Sequence, residues 1–225
     1  MQSPLKPRKR GIRLALLGAA AALVAAIVPA AMASAATSAK PSRPAAAKPT
    51  VVLVHGSWAD ASSWNNVIAG LQHDGYTVDA PPNPLRGVAS DSAYLASYLK
   101  TITGPIVLVG HSYGGFVISN FATCNPNVKA LVYVDAFIPA QGETASGLLA
   151  EFPGSQVTPD VLNNVPSPDG VVDTYLKPAK FHSILANDLS AKQAAELAAT
   201  QRPIAASALT EPSGTPPGSA SLAGT

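Results

Sequence analysis

The chain has 225 residues, 47% of them hydrophobic, with 15 Lys and Arg against 13 Asp and Glu, four His and one Cys. That is enough apolar material for one buried core, while the lone Cys124 excludes an internal disulfide. The cationic excess is local: without Lys6, Arg8, Lys9, Arg10 and Arg13, ten cationic residues face thirteen acidic ones, and a net charge of −3 excludes nucleic acid as the expected partner.

The basic cluster, the Ala/Leu-rich stretch Leu14 to Val28, and either Ala31-Met32-Ala33 or Ala33-Ser34-Ala35 read as a signal peptide over residues 1–35. Secretion is the expectation, with no membrane attachment after cleavage. The alternative is an uncleaved membrane anchor, since the apolar stretch is nearly long enough to span a bilayer, although it is mostly Ala and ends at Pro29. Residues 36–49, rich in Ala, Pro, Ser and Lys, read as a disordered linker. From residue 50 the pattern alternates: strands are predicted at 51–54, 76–80, 106–110 and 129–134, and helices at 62–72, 91–102 and 113–123. Ser90 is the expected cap of the second helix, with Asp91 complementing its dipole. Cys124 closes the third as a small buried hydrophobe rather than a reactive thiol. The alternation predicts an α/β class core over residues 50–140, a mostly parallel sheet with helices on both faces. After Pro139 the strand signal stops, and Pro153, Pro159, Pro166, Pro168, Pro178 and Pro203 break residues 141–210 into short helical pieces. The best of these follows Ser190, which forms a capping-box pattern with Gln193. Residues 211–225 hold no apolar run that could enter a sheet and read as a disordered tail.

Chemistry concentrates where the run Ile106-Val107-Leu108-Val109 breaks into Gly110-His111-Ser112-Tyr113-Gly114. A strand that turns sharply into a helix around Gly-x-Ser-x-Gly holds its hydroxyl clear of the backbone, so Ser112 is the candidate nucleophile. Gly110 and Gly114 fit a turn too crowded for a Cβ. The helix start aims free N–H groups at a developing oxyanion, with Tyr113 N–H as the expected donor. A second buried strand ends in His55-Gly56-Ser57-Trp58, whose Ser57 N–H is the expected second donor and Trp58 the reserve. No His, Cys, Asp or Glu set has metal-ligand spacing and no phosphate-loop Lys accompanies the glycines, so neither cofactor nor metal is expected.

Several further motifs stand in order with these: Trp64, Gly75-Tyr76-Thr77-Val78, Pro81-Pro82-Asn83-Pro84-Leu85, and Val132-Tyr133-Val134-Asp135-Ala136-Phe137-Ile138-Pro139. Over residues 50–143 the chain resembles the α/β-hydrolase superfamily, in particular the bacterial branch similar to plant hydroxynitrile lyases and methyl esterases. The resemblance implies that residues 141–210 form a helical cap over the site. It also implies that an acid and a histidine follow the nucleophile, in loops after two further core strands that this chain does not display, so the fold is expected to be C-terminally incomplete. Asp135 is then the candidate acid and His182 the candidate base, because the order Ser112, Asp135, His182 fits. Loop bracing is an equal reading for Asp135, and cap packing the commoner one for His182. His111 should point away from its neighbour Ser112, and His73 closes a surface helix.

The function expected is a secreted serine esterase acting on a small acyl ester, non-ionic to judge from the apolar Trp58, Phe137 and cap residues. C–C lyase chemistry runs on the same scaffold in the hydroxynitrile lyases. The alternative is a truncated, non-catalytic relative that at most binds a small molecule. Such a truncated chain would also expose strand 129–134 as an apolar sheet edge, favouring self-association.

Overall fold

The computed structural model describes residues 47–121, 125–151 and 153–214. The expected signal peptide, most of the linker, Cys124 and residues 215–225 lie outside them. Strand β1 (Thr50–Val54) pairs in parallel with β2 (Thr77–Asp79) on one side and β3 (Ile106–Ser112) on the other, and β3 pairs in parallel with β4 (Val128–Ala136), giving the order β2-β1-β3-β4. Between them run a 3-10 turn (Ala61–Trp64) leading into α1 (Asn65–His73), then α2 (Val88–Leu99) and α3 (Gly114–Phe121).

The two-residue period of a strand divides its side chains between two apolar layers. Val52, Val54, Ile106 and Leu108 pack with Leu95 and Leu99 of α2 and with Phe116, Val117 and Ile118 of α3. Val51, Leu53 and Val109 pack with Trp64, Ile68 and Leu71 on the opposite face. Each such Val or Leu contributes roughly 1.5–3 kcal/mol on full burial. Burial on both faces explains why the central strands read as unbroken apolar runs rather than as an alternation. At β4 the second layer ends: Val132 and Val134, in register with Val109 and His111, are 41% and 43% exposed. Among the described residues no strand pairs with the far side of β4.

Helix α2 begins earlier than its local pattern suggests. It starts at Val88, and Ser90 does not cap it: the Val88 and Ala89 N–H groups donate to the Glu211 carboxylate at 2.8 and 2.9 Å. Asp91 is fully buried and turned inward, away from the role of a surface charge at a helix end. A cap supplied from more than a hundred residues downstream leaves no local signature.

The region after Pro139 is not purely helical. It contains α4 (Ala145–Glu151), α5 (Pro178–Leu185), α6 (Ala191–Thr200) and α7 (Ala206–Thr210), together with an antiparallel sheet of β5 (Leu162–Pro166), β6 (Val172–Leu176) and β7 (Ile204–Ala205). Strand β5 is mostly exposed and holds two Asn, so it lacks the apolar run that marks a strand in sequence. Ser190 and Gln193 do form the capping box at α6. Residues 211–214 also differ from the expected tail. Ser213 is buried, exchanging backbone hydrogen bonds with Glu143 and Gly142, and Gly214 N–H donates to Asn120 Oδ1 at 2.6 Å. Among the described residues no helix is long and apolar enough to cross a membrane.

Candidate active site

Strand β3 delivers Ser112 to the carboxyl end of the sheet in the left-handed region, at φ 52°. A non-glycine residue there costs on the order of 1–3 kcal/mol and persists only where its surroundings over-determine it. Here the constraint is close backbone approach. A Cβ on Gly110 would lie 2.8 Å from the Gly114 carbonyl, and one on Gly114 would lie 2.5 Å from the Val54 oxygen. Without these side chains α3 starts directly beneath β1, and Ser112 stands half-buried at the junction. Its hydroxyl has no hydrogen-bond partner among the described residues, and the same holds for the N–H groups of Tyr113 and Ser57.

The β1 loop approaches the same serine. A Cβ on Gly56 would lie 2.7 Å from Ser112 Cβ and 3.2 Å from its Oγ, so the Gly56 backbone passes close against Ser112. His55 fixes this loop. Its Nε2 accepts from Asn83 N–H at 2.9 Å, which leaves Nδ1 protonated to donate to the Gly56 carbonyl at 3.0 Å. Asn83 Nδ2 donates in turn to the His55 carbonyl at 3.0 Å. The imidazole is fully buried, and burial lowers its pKa, so His55 is a neutral brace rather than a base. Trp58, also left-handed at φ 59°, donates its indole N–H to the Thr174 carbonyl of β6 at 3.0 Å.

Tyr113 is 1% exposed and donates its phenol to Asp91 Oδ2 at 3.0 Å. Asp91 also accepts the Arg86 N–H at 3.0 and 3.2 Å. Burial pushes the Asp91 carboxyl above the usual carboxylate range against these bonds, and pushes the Tyr113 phenol strongly upward. Local patterning does not reveal Asn83 or Asp91 as site supports. The only hint was the stiff Pro81-Pro82-Asn83-Pro84 loop, which holds Asn83 against a histidine 28 residues earlier.

The sequence candidates for acid and base do not meet. His182, on α5, is exposed, and its Nε2 is hydrogen-bonded to the Leu189 carbonyl at 3.0 Å, where it ties α5 to the segment before α6. Asp135 is exposed at the end of β4 with φ 44° and has no hydrogen bond to His182 or Ser112. Its charge acts on His111, whose pKa is lowered by burial and partly restored by Asp135. The His111 ring lies edge-on to Trp64, with centroids 6.2 Å apart. His73 is at the exposed end of α1 beside Asp74. Among the described residues, none of the four histidines hydrogen-bonds Ser112, and no three potential metal ligands cluster.

A cleft of about 110 Å³ lies between the β1 loop and the cap. Trp58, Phe181, Leu185 and Leu197 give it apolar walls, with Ser57, Asp60 and His111 as its polar edge. Asp60 caps the 3-10 turn, and the Ser62 hydroxyl holds its carboxyl below the usual range. The site therefore presents Ser112 on a strained backbone, two backbone N–H groups without acceptors among the described residues, and a small apolar recess lined by Ser57 and His111, the residue before Ser112.

Comparison with known proteins places this geometry in a family. The profile described as the alpha/beta hydrolase family matches residues 51–223. Among curated proteins, a carbendazim hydrolyzing esterase of Nocardioides sp. (strain SG-4G) is 32% identical over 111 residues, covering 44% of this chain and 46% of that protein. A pyrethroid hydrolase of Sphingobium wenxiniae is 29% identical over 127 residues, covering 50% and 45%. Methylesterase 8 of Arabidopsis thaliana is 30% identical over 123 residues, covering 48% and 45%. The chain thus matches less than half the length of these curated relatives. Among solved structures, an extracellular alpha/beta-hydrolase from a Paenibacillus species is 26% identical with a TM-score of 0.59, covering 73% of this chain and 70% of that one. Polyneuridine aldehyde esterase, at 18% identity and a TM-score of 0.60, shares the fold.

Proposed function

The chain belongs to the alpha/beta hydrolase family, and from that premise we propose that it is a serine hydrolase of the esterase type, with Ser112 as nucleophile and a small, uncharged acyl ester as substrate. The observation that carries this reading is the left-handed Ser112, whose hydroxyl, like the Ser57 and Tyr113 N–H groups, has no hydrogen-bond partner among the described residues. Attack by Ser112 Oγ on the ester carbonyl would place the negative oxygen against Ser57 N–H and Tyr113 N–H, and the alcohol would leave with the proton. Water would then release the acid. The apolar walls of the cleft favour a compact, non-ionic substrate, and the small recess suits one ring or a short chain. Export through the N-terminal signal segment is part of the same proposal, in keeping with the extracellular Paenibacillus relative.

A second reading, a non-catalytic relative that holds a small ligand in the same cleft, is favoured by one observation: among the described residues no histidine is bonded to Ser112. The two readings differ by a measurable amount. With its base removed, an oxyanion pocket and binding alone retain roughly 10³–10⁴-fold catalysis over water. A fluorophosphonate probe decides between them. Stoichiometric labelling at Ser112, absent in Ser112→Ala and accompanied by faster p-nitrophenyl acetate turnover than that variant, supports the hydrolase. A folded protein that takes up no probe supports the ligand-binding reading.

A further inference from the structure

We infer that strand β6 of the cap is a positioning element for the oxyanion pocket, holding both amide arms through the adjacent residues Asp173 and Thr174; the inference rests on Ser112 and its two N–H groups being the reactive site. One connection is direct. Trp58 follows Ser57 in the chain, and its indole N–H donates to the Thr174 carbonyl at 3.0 Å. Thr174 is buried and donates its own hydroxyl to the Ile204 carbonyl at 3.0 Å, so the acceptor is fixed to β7 as well.

The other connection runs through the loop before α2. Asp173 Oδ1 accepts from Arg86 Nη1 at 2.7 Å, and Arg86 Nη2 donates to the Pro203 carbonyl at 3.2 Å. The backbone N–H of the same Arg86 donates to Asp91, whose other oxygen receives the Tyr113 phenol. Ala205 N–H, in β7, donates to the Leu85 carbonyl at 2.9 Å and stitches this loop to the cap sheet a second time. From cap to elbow the path is therefore Asp173, Arg86, Asp91, Tyr113, with one hydrogen bond or one residue at each step.

Backbone strain follows the same route. Four described non-glycine residues have positive φ, and three of them, Trp58 at 59°, Leu85 at 61° and Ser112 at 52°, lie on the two arms and on the loop that joins them to the cap. Strained conformations survive where neighbours hold them, and for Trp58 and Leu85 those neighbours are β6 and β7. The Arg86–Asp173 pair is partly exposed, with side chains 40% and 23% accessible, so it contributes little to overall stability.

The test is the rate of fluorophosphonate labelling of Ser112 in the full chain, read beside the backbone amide resonances of Ser57 and Tyr113. Asp173→Ala and Trp58→Phe should each slow labelling about tenfold, because small displacements of positioned groups cost one to two orders of magnitude. Affinity for a reversible ester-like competitor should stay unchanged in Asp173→Ala, because Asp173 does not line the cleft. The Tyr113 resonance should move in Asp173→Ala and the Ser57 resonance in Trp58→Phe. Asp173→Glu, which restores the charge, should recover most of the rate. If Asp173→Ala unfolds, Arg86→Lys keeps the charge and weakens the same link. Wild-type labelling rates with unshifted amides in both variants would overturn the inference. A wild-type protein that is not labelled, but whose amides shift as described, would overturn the nucleophile and leave the brace standing.

Discussion

The two peptide arms that flank Ser112 are held by opposite means. The elbow arm is held by charge: Tyr113 is packed beside Phe116, and its phenol ends on the buried Asp91 carboxylate. The β1 arm is held by neutral groups alone, the His55 imidazole, the Asn83 amide and the Trp58 indole. A carboxylate acceptor keeps its bonds until it is protonated, whereas an imidazole that accepts a backbone N–H loses that bond on gaining a proton. The arms should therefore fail under different conditions although both flank Ser112.

The most damaging change is one that forces them apart. Gly56→Ala places a Cβ 2.7 Å from Ser112 Cβ and 2.9 Å from the His111 carbonyl, and neither is the flexible end of a side chain that could swing away. Overpacking of this kind costs about 1–3 kcal/mol. Labelling of Ser112 should fall on the order of a hundredfold, because the loop and Ser112 can no longer both keep their places. Gly70→Ala in α1, with no atom within 4 Å of the new Cβ, is the control. It should raise stability by about 0.5–1 kcal/mol and leave labelling unchanged.

Next in size is Tyr113→Phe, which tests the charged arm. The variant keeps the ring and removes one donor from a buried carboxylate, at a cost of about 1–3 kcal/mol. The folded pKa of Asp91 already lies above 3.8, so its contribution to stability is fully present below that value and is lost as pH rises through the folded pKa. Removing the phenol raises that pKa further. The destabilisation should be largest near neutral pH and shrink toward pH 4, as read from denaturant unfolding at the two pH values.

Acid should act on the other arm. His55 has a folded pKa below 6.5, so its contribution is present above pH 6.5 and is lost as pH falls from there through the folded value. Asp60 opposes that lowering, while Arg202 and His111 add to it. Titration downward from pH 6.5 should shift the amide resonances of Ser57 and Asn83 together, in a transition separate from the one that moves Tyr113. A common transition for all three would erase the distinction between the arms.

The elbow arm was legible in sequence because its parts are local: an apolar strand, a Gly-x-Ser-x-Gly turn and a helix stand within twenty residues, and the two-sided burial of β1 and β3 follows from their unbroken Val and Leu runs. The supports were not legible, because they join distant points of the chain. Asp91 and Tyr113 are 22 residues apart, Trp58 and Thr174 are 116 apart, and Glu211 reaches α2 across 123. Each of these residues has an ordinary local reading, as a first-turn acid, a packed aromatic or part of a polar tail. The cap sheet escaped notice for a related reason: β5 is polar and edge-exposed, and β7 has only two residues. Chain order also misleads. Ser112, Asp135 and His182 satisfy the sequence requirement for a triad, yet His182 spends its Nε2 on the Leu189 carbonyl.

The smallest effect comes from a part of the cap that neither arm touches. Ser190 accepts from Gln193 N–H at 3.3 Å, and Gln193 Oε1 accepts from Ser190 N–H at 3.2 Å, which closes the first turn of α6. Ser190→Ala removes one side of that exchange and should cost about 1 kcal/mol. Helix α6 joins β6 at its far end, where Gln201 bonds both the N–H and the carbonyl of Leu176. Fraying at Ser190 would have to travel the whole helix to reach Asp173 or Thr174. Ser190→Ala should therefore lower the unfolding midpoint while leaving the labelling rate and the Ser57 and Tyr113 resonances as they are. A slowed rate in this variant would mean that any loosening of the cap reaches the pocket, and that β6 has no special part in holding it.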